Sequence, residues 1–364
     1  MHLSLEGVAG FFEIRIKFVT TKKERGKASI TLIDVAKHAG VSPMTVSRVL
    51  NNLSIVKSAT REKVLSSVEE LKYSPNQAAR SLASGRTTRI CLLYGNPSSA
   101  YLGELLLGAL EAVGKLGFQL IVNRVPEDIS PDTLKKDLHS TWDGLIIPAP
   151  ISDVAGIRRL MDAEGFPAVF LESGGVEGRA HEIGIDDFQA SKDMTDFLIG
   201  LGHKRIGYIQ GHPNHRTSVL RQAGFEDSVS KAGLPFGGEL MTPGFFTYRS
   251  GIEAGLQLLK SDNPPTAIFA SNDDMAAGVL AAASELGLKV PRDVSVVGFD
   301  DSPIATTVWP NLTTIRQPLS EMTEQAVRLL SEIINEGNNN VIPKTTSLLD
   351  YSLIKRESAS APIS

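Results

Sequence analysis

Acidic and amide side chains gather at the ends of short apolar runs in this chain of 364 residues. Glu172 and Ser173 follow Ala168-Val169-Phe170-Leu171. Asn272, Asp273 and Asp274 follow Thr266-Ala267-Ile268-Phe269-Ala270, Asp300 and Asp301 follow Val294-Ser295-Val296-Val297-Gly298-Phe299, and Asp186 with Asp187 adds a further pair. Carboxylates and an amide converging on a cleft bind neighbouring hydroxyls of a neutral polyol, and Phe245 or Phe246 would cover an apolar ring face. Paired carboxylates also serve glycoside hydrolysis, in which two Asp/Glu groups flank the bond. The same residue types cap helices, as Asp273 would ahead of Met275-Ala276-Ala277.

Other chemistries lack their residues. The chain holds no Gly-x-Ser-x-Gly turn, no His-Glu-x-x-His and no Gly-x-x-x-x-Gly-Lys loop. Ser228-Val229-Ser230-Lys231 matches a Ser-x-x-Lys string, but late in a predicted surface helix, where it reads as chance. His203, His212 and His215 cluster in sequence without a carboxylate repeating at metal-ligand spacing. No catalytic residue, metal or cofactor is expected, and the chain is read as a binding protein rather than an enzyme.

A second constellation lies near the N-terminus. Leu32-Ile33-Asp34-Val35-Ala36-Lys37-His38-Ala39 is apolar-periodic and closed by Gly40, which suits the left-handed end of a helix. Ser42 can accept from the free amides of a new helix, and Pro43 suits its first position. Small Ala36, the Gly40 turn and apolar Val46 make the pattern of a helix-turn-helix, whose second helix presents its N-terminal residues to base edges in the DNA major groove. Thr60 to Leu71 forms a third helix, with Val64, Leu65, Val68 and Leu71 on one face.

The length suits one small domain and one large one, or three. The formal charge of −4 hides an asymmetry: residues 27–89 carry ten Lys/Arg against four Asp/Glu, whereas the chain beyond them is acidic. A basic head on an acidic body suits a phosphate-binding module joined to a small-molecule domain. The single cysteine, Cys91, sits between Ile90 and Leu92 and reads as a buried structural thiol. No apolar run approaches the ~20 residues of a membrane span, and the N-terminus does not read as a secretory signal, so a cytoplasmic protein is expected.

Residues 1–27 read as a flexible extension. Gln77-Ala78-Ala79-Arg80-Ser81-Leu82-Ala83, between Pro75 and Gly85, is a run of good helix formers too short to be stable without a partner. From Thr88 onward strands and helices alternate, restart near Arg205 and continue with helices beginning near Arg216, Thr247 and Asp273. Two such series imply two parallel-sheet subdomains with a cleft at their strand ends.

In order along the chain stand Thr31-Leu32-Ile33-Asp34-Val35-Ala36, Gly40-Val41-Ser42, Thr45-Val46-Ser47-Arg48-Val49-Leu50-Asn51, Tyr73-Ser74-Pro75-Asn76 and Ala79-Arg80-Ser81-Leu82. Gly202-His203-Lys204-Arg205-Ile206, Arg221-Gln222-Ala223-Gly224-Phe225, Ser271-Asn272-Asp273 and Val297-Gly298-Phe299-Asp300-Asp301 follow. With these motifs the chain resembles the lac repressor family of transcription regulators over nearly everything after residue 30.

The resemblance implies an α/β protein with an N-terminal helix-turn-helix headpiece (28–75), a hinge helix and linker (76–87), and a periplasmic-binding-protein-like core of two parallel-sheet subdomains (88–364). It implies a homodimer on near-palindromic double-stranded operator DNA, and a repressor controlled by a small-molecule effector. Base readout falls to Pro43, Met44 and Arg48: Arg48 pairs with guanine, while Pro43 and Met44 make apolar contact with thymine methyls. Ser42, Thr45, Asn51 and Lys57 are candidates for phosphate contacts, and Thr31 and Ser47 complete the headpiece set. Asn76, Ala79 and Leu82 belong to the hinge, whose leucine wedges into the minor groove. Effector-binding positions are matched by Arg221, Asn272, Asp300, Phe246 and Glu172, the last where an aspartate is common. A sugar or sugar derivative is the favoured effector, with a purine or sugar acid as the alternative.

Overall fold

The computed structural model describes residues 30–50, 56–71, 87–126, 129–136, 138, 141–172, 180–336 and 342–363. The 1–27 extension, Asn51, Ser173 and the hinge positions Asn76, Ala79 and Leu82 lie outside the described residues. The chain divides into two compact units, Met1–Asn76 and Gln77–Ser364.

In the first unit, α1 (Leu32–Ala39) opens with a reciprocal cap. The Thr31 hydroxyl accepts from the Asp34 amide at 3.4 Å, while the Asp34 carboxylate accepts from the Thr31 amide at 2.9 Å and from its hydroxyl at 2.7 Å. Gly40 ends α1 at φ 67°, where a side chain would be strained. Ser42 then accepts from the Thr45 amide at 3.1 Å, and α2 (Pro43–Leu50) begins at the proline. With α3 (Ser58–Glu70) these helices bury Val35, Ala36, Val46, Val49 and Val64.

One expectation for α3 fails. Leu65 is 48% exposed, and Ser67, three residues beyond Val64, takes the inward position. Three residues is nearly one helical turn, whereas Leu65 is rotated about 100° away. The Ser67 hydroxyl donates to the Lys63 carbonyl at 2.9 Å and lies 3.0 Å from His38 Nδ1, so the buried polar atom is satisfied.

The second unit holds two parallel sheets. One has six strands in the order β11-β5-β4-β3-β1-β2: β1 (Arg89–Tyr94), β2 (Gln119–Arg124), β3 (Gly144–Ile147), β4 (Ala168–Leu171), β5 (His181–Gly184) and β11 (Thr346–Leu348). The other has four in the order β7-β6-β8-β9: β6 (Ile206–Ile209), β7 (Met241–Thr242), β8 (Ala267–Ala270) and β9 (Ser295–Val297). Helices cover the strands, as burial of near-continuous apolar runs such as Leu145-Ile146-Ile147 requires. Cys91 is fully buried in β1.

The two sequence series form the two sheets as expected, but each lobe is not one continuous stretch of chain. After β5 the chain enters the second lobe through α7 (Asp187–Gly200), which follows α4 (Ser99–Leu116), α5 (Pro131–Lys135) and α6 (Ala155–Glu164). The second lobe also holds α8 (Arg216–Lys231), α9 (Tyr248–Leu259), α10 (Asp273–Glu285) and α11 (Ile304–Thr307). The chain then returns: α12 (Leu319–Glu336) packs on α4 and on β3 to β5, and β11 pairs with β5 at the edge of the first sheet. It finally crosses back to pair β12 (Ser352–Ile354) antiparallel with β10 (Thr314–Arg316). Among the described residues no helix is long and apolar enough to cross a membrane.

Candidate functional site

In the first unit the N-terminal edge of α2 faces solvent. Ser42, Pro43 and Met44 are exposed, Met44 at 63%, and Arg48 follows one turn later on the same side. Thr45 and Ser47 are half-buried, while Val46 and Val49 face the core. The geometry therefore brings Pro43, Met44 and Arg48 to one accessible face. Lys57 is exposed just before α3. The hydroxyls of Thr31 and Ser42 are already engaged in helix caps.

In the second unit the ends of the two sheets enclose a cleft lined by Asn96, Tyr101, Glu172, His215, Arg221 and Phe246, with Asn272 and Asp300 completing the wall. All five predicted effector residues thus meet in one place. At the centre, Arg221 is 3% exposed and lies over the Phe299 ring at 3.7 Å. Its Nε donates to Asp187 Oδ1 at 2.8 Å and its Nη1 to the Ser271 carbonyl at 2.8 Å. Glu172 Oε1 lies 3.7 Å from Nη2, and Asp300 Oδ1 lies 3.6 Å from Nη1. Three buried carboxylates therefore surround one guanidinium.

That imbalance appears in their titration. Burial, then the charge of Asp187, pushes the Glu172 carboxyl up to about 7 against the pull of Arg221. Burial likewise raises Asp187, and holds Asp300 well above the usual carboxylate range despite Arg221. The buried Tyr101 hydroxyl donates to Glu172. Gln317 Nε2 donates to Asp300 Oδ1 at 2.7 Å.

Because Glu172 titrates higher in the folded chain, folding takes up a proton between about 4.5 and about 7, and this carboxyl lowers stability progressively as pH rises through that window. Glu172→Gln removes the titration. Its stability relative to the parent should therefore rise by on the order of 2 kcal/mol between pH 5 and pH 8. Denaturant unfolding at the two pH values measures this, and an unchanged difference would contradict it.

Phe246 reaches the cleft at φ 57°, a backbone conformation a phenylalanine rarely adopts. Opposite it is Gly211, where a Cβ would fall 2.3 Å from the Phe246 ring and 2.3 Å from the Ser218 hydroxyl. Only a glycine there admits the ring. Burial and the neighbouring His212 and Arg221 push the His215 imidazole down to about 3, so the ring lining the cleft is neutral.

Several strand-end residues serve other ends. Asn272, not Asp273, caps α10, its Oδ1 accepting from the Met275 amide at 3.0 Å, while its Nδ2 donates to the Phe246 carbonyl at 3.3 Å. Asp273 is buried and accepts from the Ser302 amide at 2.8 Å and the Thr314 hydroxyl at 2.6 Å. Asp186 caps α7, and Asp301 pairs with Arg316 and Arg356 at 2.7 and 2.6 Å. Tyr101, Asn96, Ser98, His215 and Thr217 join the lining without having been expected there. No spacing rule flags them, since they reach the cleft from only two segments, the β1–α4 connection with the first turn of α4 and the start of α8.

Two hydrogen bonds tie the lobes across the cleft. The Ser98 hydroxyl donates to Asp274 Oδ2 at 2.7 Å, and the Arg216 amide donates to Asp153 Oδ2 at 2.9 Å. The space left inside is about 20 Å³, room for about one water, so a ligand enters only if the lobes separate. His203 lies outside the cleft, its ring nitrogens 2.8 Å from the Thr266 hydroxyl and 2.9 Å from the Ser360 carbonyl. Among the described residues no group of three His, Cys, Asp or Glu is placed to hold a metal ion.

Residues 31–76 match the sequence pattern of bacterial regulatory proteins of the lacI family, and residues 195–359 that of a periplasmic binding protein-like domain. Catabolite control protein A of Priestia megaterium is 34% identical over 314 residues, spanning 85% of this chain and 93% of that protein. The chain belongs to the lac repressor family. Among solved structures, a complex of the transcriptional regulator CelR with cellobiose superposes with a TM-score of 0.68 at 30% identity, over 90% of this chain and 99% of that one. The lac repressor dimer bound to operator and the anti-inducer ONPF gives a TM-score of 0.66 at 29% identity, over 92% and 100%. This lac repressor family member is accordingly a DNA-binding transcriptional regulator, with a helix-turn-helix domain and a periplasmic-binding-protein-like core.

Proposed function

We propose that the chain is a sequence-specific repressor whose operator affinity is set by a neutral carbohydrate bound between the two lobes. One observation carries the choice of ligand: Arg221, among the described residues the only Lys or Arg lining the cleft, is already matched by Asp187, Glu172 and Asp300. Among the described lining residues no cationic charge is left over for a sugar acid or a phosphate, whereas the carboxylates and Asn272 can take up the hydroxyls of a neutral ring and Phe246 its apolar face. The cellobiose bound by the structural relative supports the same class.

The effector would enter by breaking the Ser98 to Asp274 and Arg216 to Asp153 bonds. Effector and operator thus favour different lobe arrangements, and each weakens or strengthens the other by the same factor. A homodimer brings two readers to a near-palindromic site. Leu107 and Leu110 on α4 and Val122 on edge strand β2 are exposed apolar side chains suited to self-association. On each reader Arg48 pairs with guanine, Pro43 and Met44 touch thymine methyls, and Ser42, Thr45, Asn51 and Lys57 contact phosphates.

The test is a thermal-shift screen of neutral sugars on the full chain, followed by binding to inverted-repeat duplexes selected from a random pool. A sugar that raises the melting temperature and changes duplex affinity supports the reading. Acidic sugars or phosphates acting where neutral ones do not would overturn it. Met44→Gln adds an amide able to pair with adenine and should shift half-site preference by about 1–3 kcal/mol. An unchanged selected sequence would count against this face as the reader.

A further inference from the structure

A row of aromatic rings leads away from the cleft, beyond the residues that enclose it. Phe246 lines the cleft and stacks on His215, the centroids 5.4 Å apart at 24°. His212 lies tilted against His215 at 4.6 Å and 33°, and Phe245 and His212 meet in a T-shaped contact at 5.9 Å and 67°. His215 is buried, His212 half-buried, and Phe245 is 48% exposed. The two adjacent phenylalanines thus serve different places. The positive φ of Phe246 turns it into the wall, while Phe245 remains at the far end of the row.

Accepting the carbohydrate reading above, we propose that His212 and Phe245 form an outer subsite for the second ring of a disaccharide effector, whose first ring sits in the cleft against Phe246. A pyranose has one apolar face and a rim of hydroxyls. Phe245 offers an apolar face, and the half-buried His212 imidazole sets a second ring beside it. A single ring bound between Glu172, Asn272 and Phe246 would leave Phe245 and the outer face of His212 exposed, whereas a second ring joined to it would cover both. The neutral His215 carries the row outward without a charge that a neutral sugar would have to desolvate.

Calorimetric titration of the full chain compares glucose, galactose and ribose with cellobiose, lactose and maltose, on the parent and on His212→Ala, Phe245→Ala and Phe245→Leu. The expected result is a disaccharide that binds at least roughly tenfold more tightly than its component monosaccharide, with Phe245→Ala and His212→Ala each removing most of that advantage. Phe245→Leu keeps bulk but no aromatic face, and should behave like Phe245→Ala. Equal affinity for one and two rings, or variants that weaken both alike, would overturn the outer subsite and leave the carbohydrate reading standing. If none of the six sugars binds the parent, the carbohydrate reading and the subsite fall together.

Discussion

Arg221→Met should lower the stability of the core unit by about 3–5 kcal/mol at neutral pH and abolish any response of DNA binding to the effector. The long apolar stem of methionine can still lie on Phe299, so the volume is largely kept. What is lost is the cation, together with the Nε bond to Asp187 and the Nη1 bond to the Ser271 carbonyl. Glu172, Asp187 and Asp300 are then buried near one another with no positive charge among them. They can relieve this only by taking up protons, which raises their folded titration further above the unfolded values.

The deficit must therefore grow with pH. Below the ordinary carboxylate range all three groups are neutral in both states and only the hydrogen bonds are missing, whereas at pH 8 the full electrostatic cost is felt. Urea unfolding at pH 5 and pH 8 separates the two contributions. A deficit under about 1 kcal/mol, or one independent of pH, would mean that Arg221 is not the counter-charge of this cluster.

Val46→Asp should weaken DNA binding severely while leaving the core unit folded. Val46 is fully buried in a core made of Val35, Ala36, Val49, Val64 and a few partly buried neighbours. A carboxylate placed there has no partner and costs several kcal/mol. A headpiece this small has little stability in reserve, so the cost exceeds what it holds. Duplex affinity should fall by on the order of a thousandfold, since the reader edge of α2 is lost with the fold. Melting of the core unit should move by less than about 1 °C, because additivity holds for separate units. A coincident loss of both transitions would show that the units do not fold independently.

How much could be read in advance follows from the distances over which the causes act. The headpiece is governed by local signals: the Thr31 and Ser42 caps, the left-handed Gly40, Pro43 at a helix start, and the spacing of Ala36 and Val46 all act within about one turn. Each is visible as a residue type at an offset. The outward place of Leu65 on α3 depends on which neighbour is buried, and Ser67 takes the inward position by pairing with His38.

In the core unit, residue pattern marks the apolar strands, the helices that alternate with them and the polar residues at their ends. Five strands, β5, β7, β10, β11 and β12, carry no comparable apolar run; their edges are satisfied by chain from distant segments. Long-range packing brings α12 and β11 back to the first lobe, and holds Arg221 against Asp187 from 34 residues away. It also brings Tyr101 to Glu172 across 71 residues, and makes Asn272 rather than Asp273 the cap of α10. The physical reason is common to all of these: capping and periodicity are energies of neighbouring residues, written in order along the chain. The matching of buried charges and the closing of a cleft are energies of neighbours in space, which exist only once the lobes have been brought together.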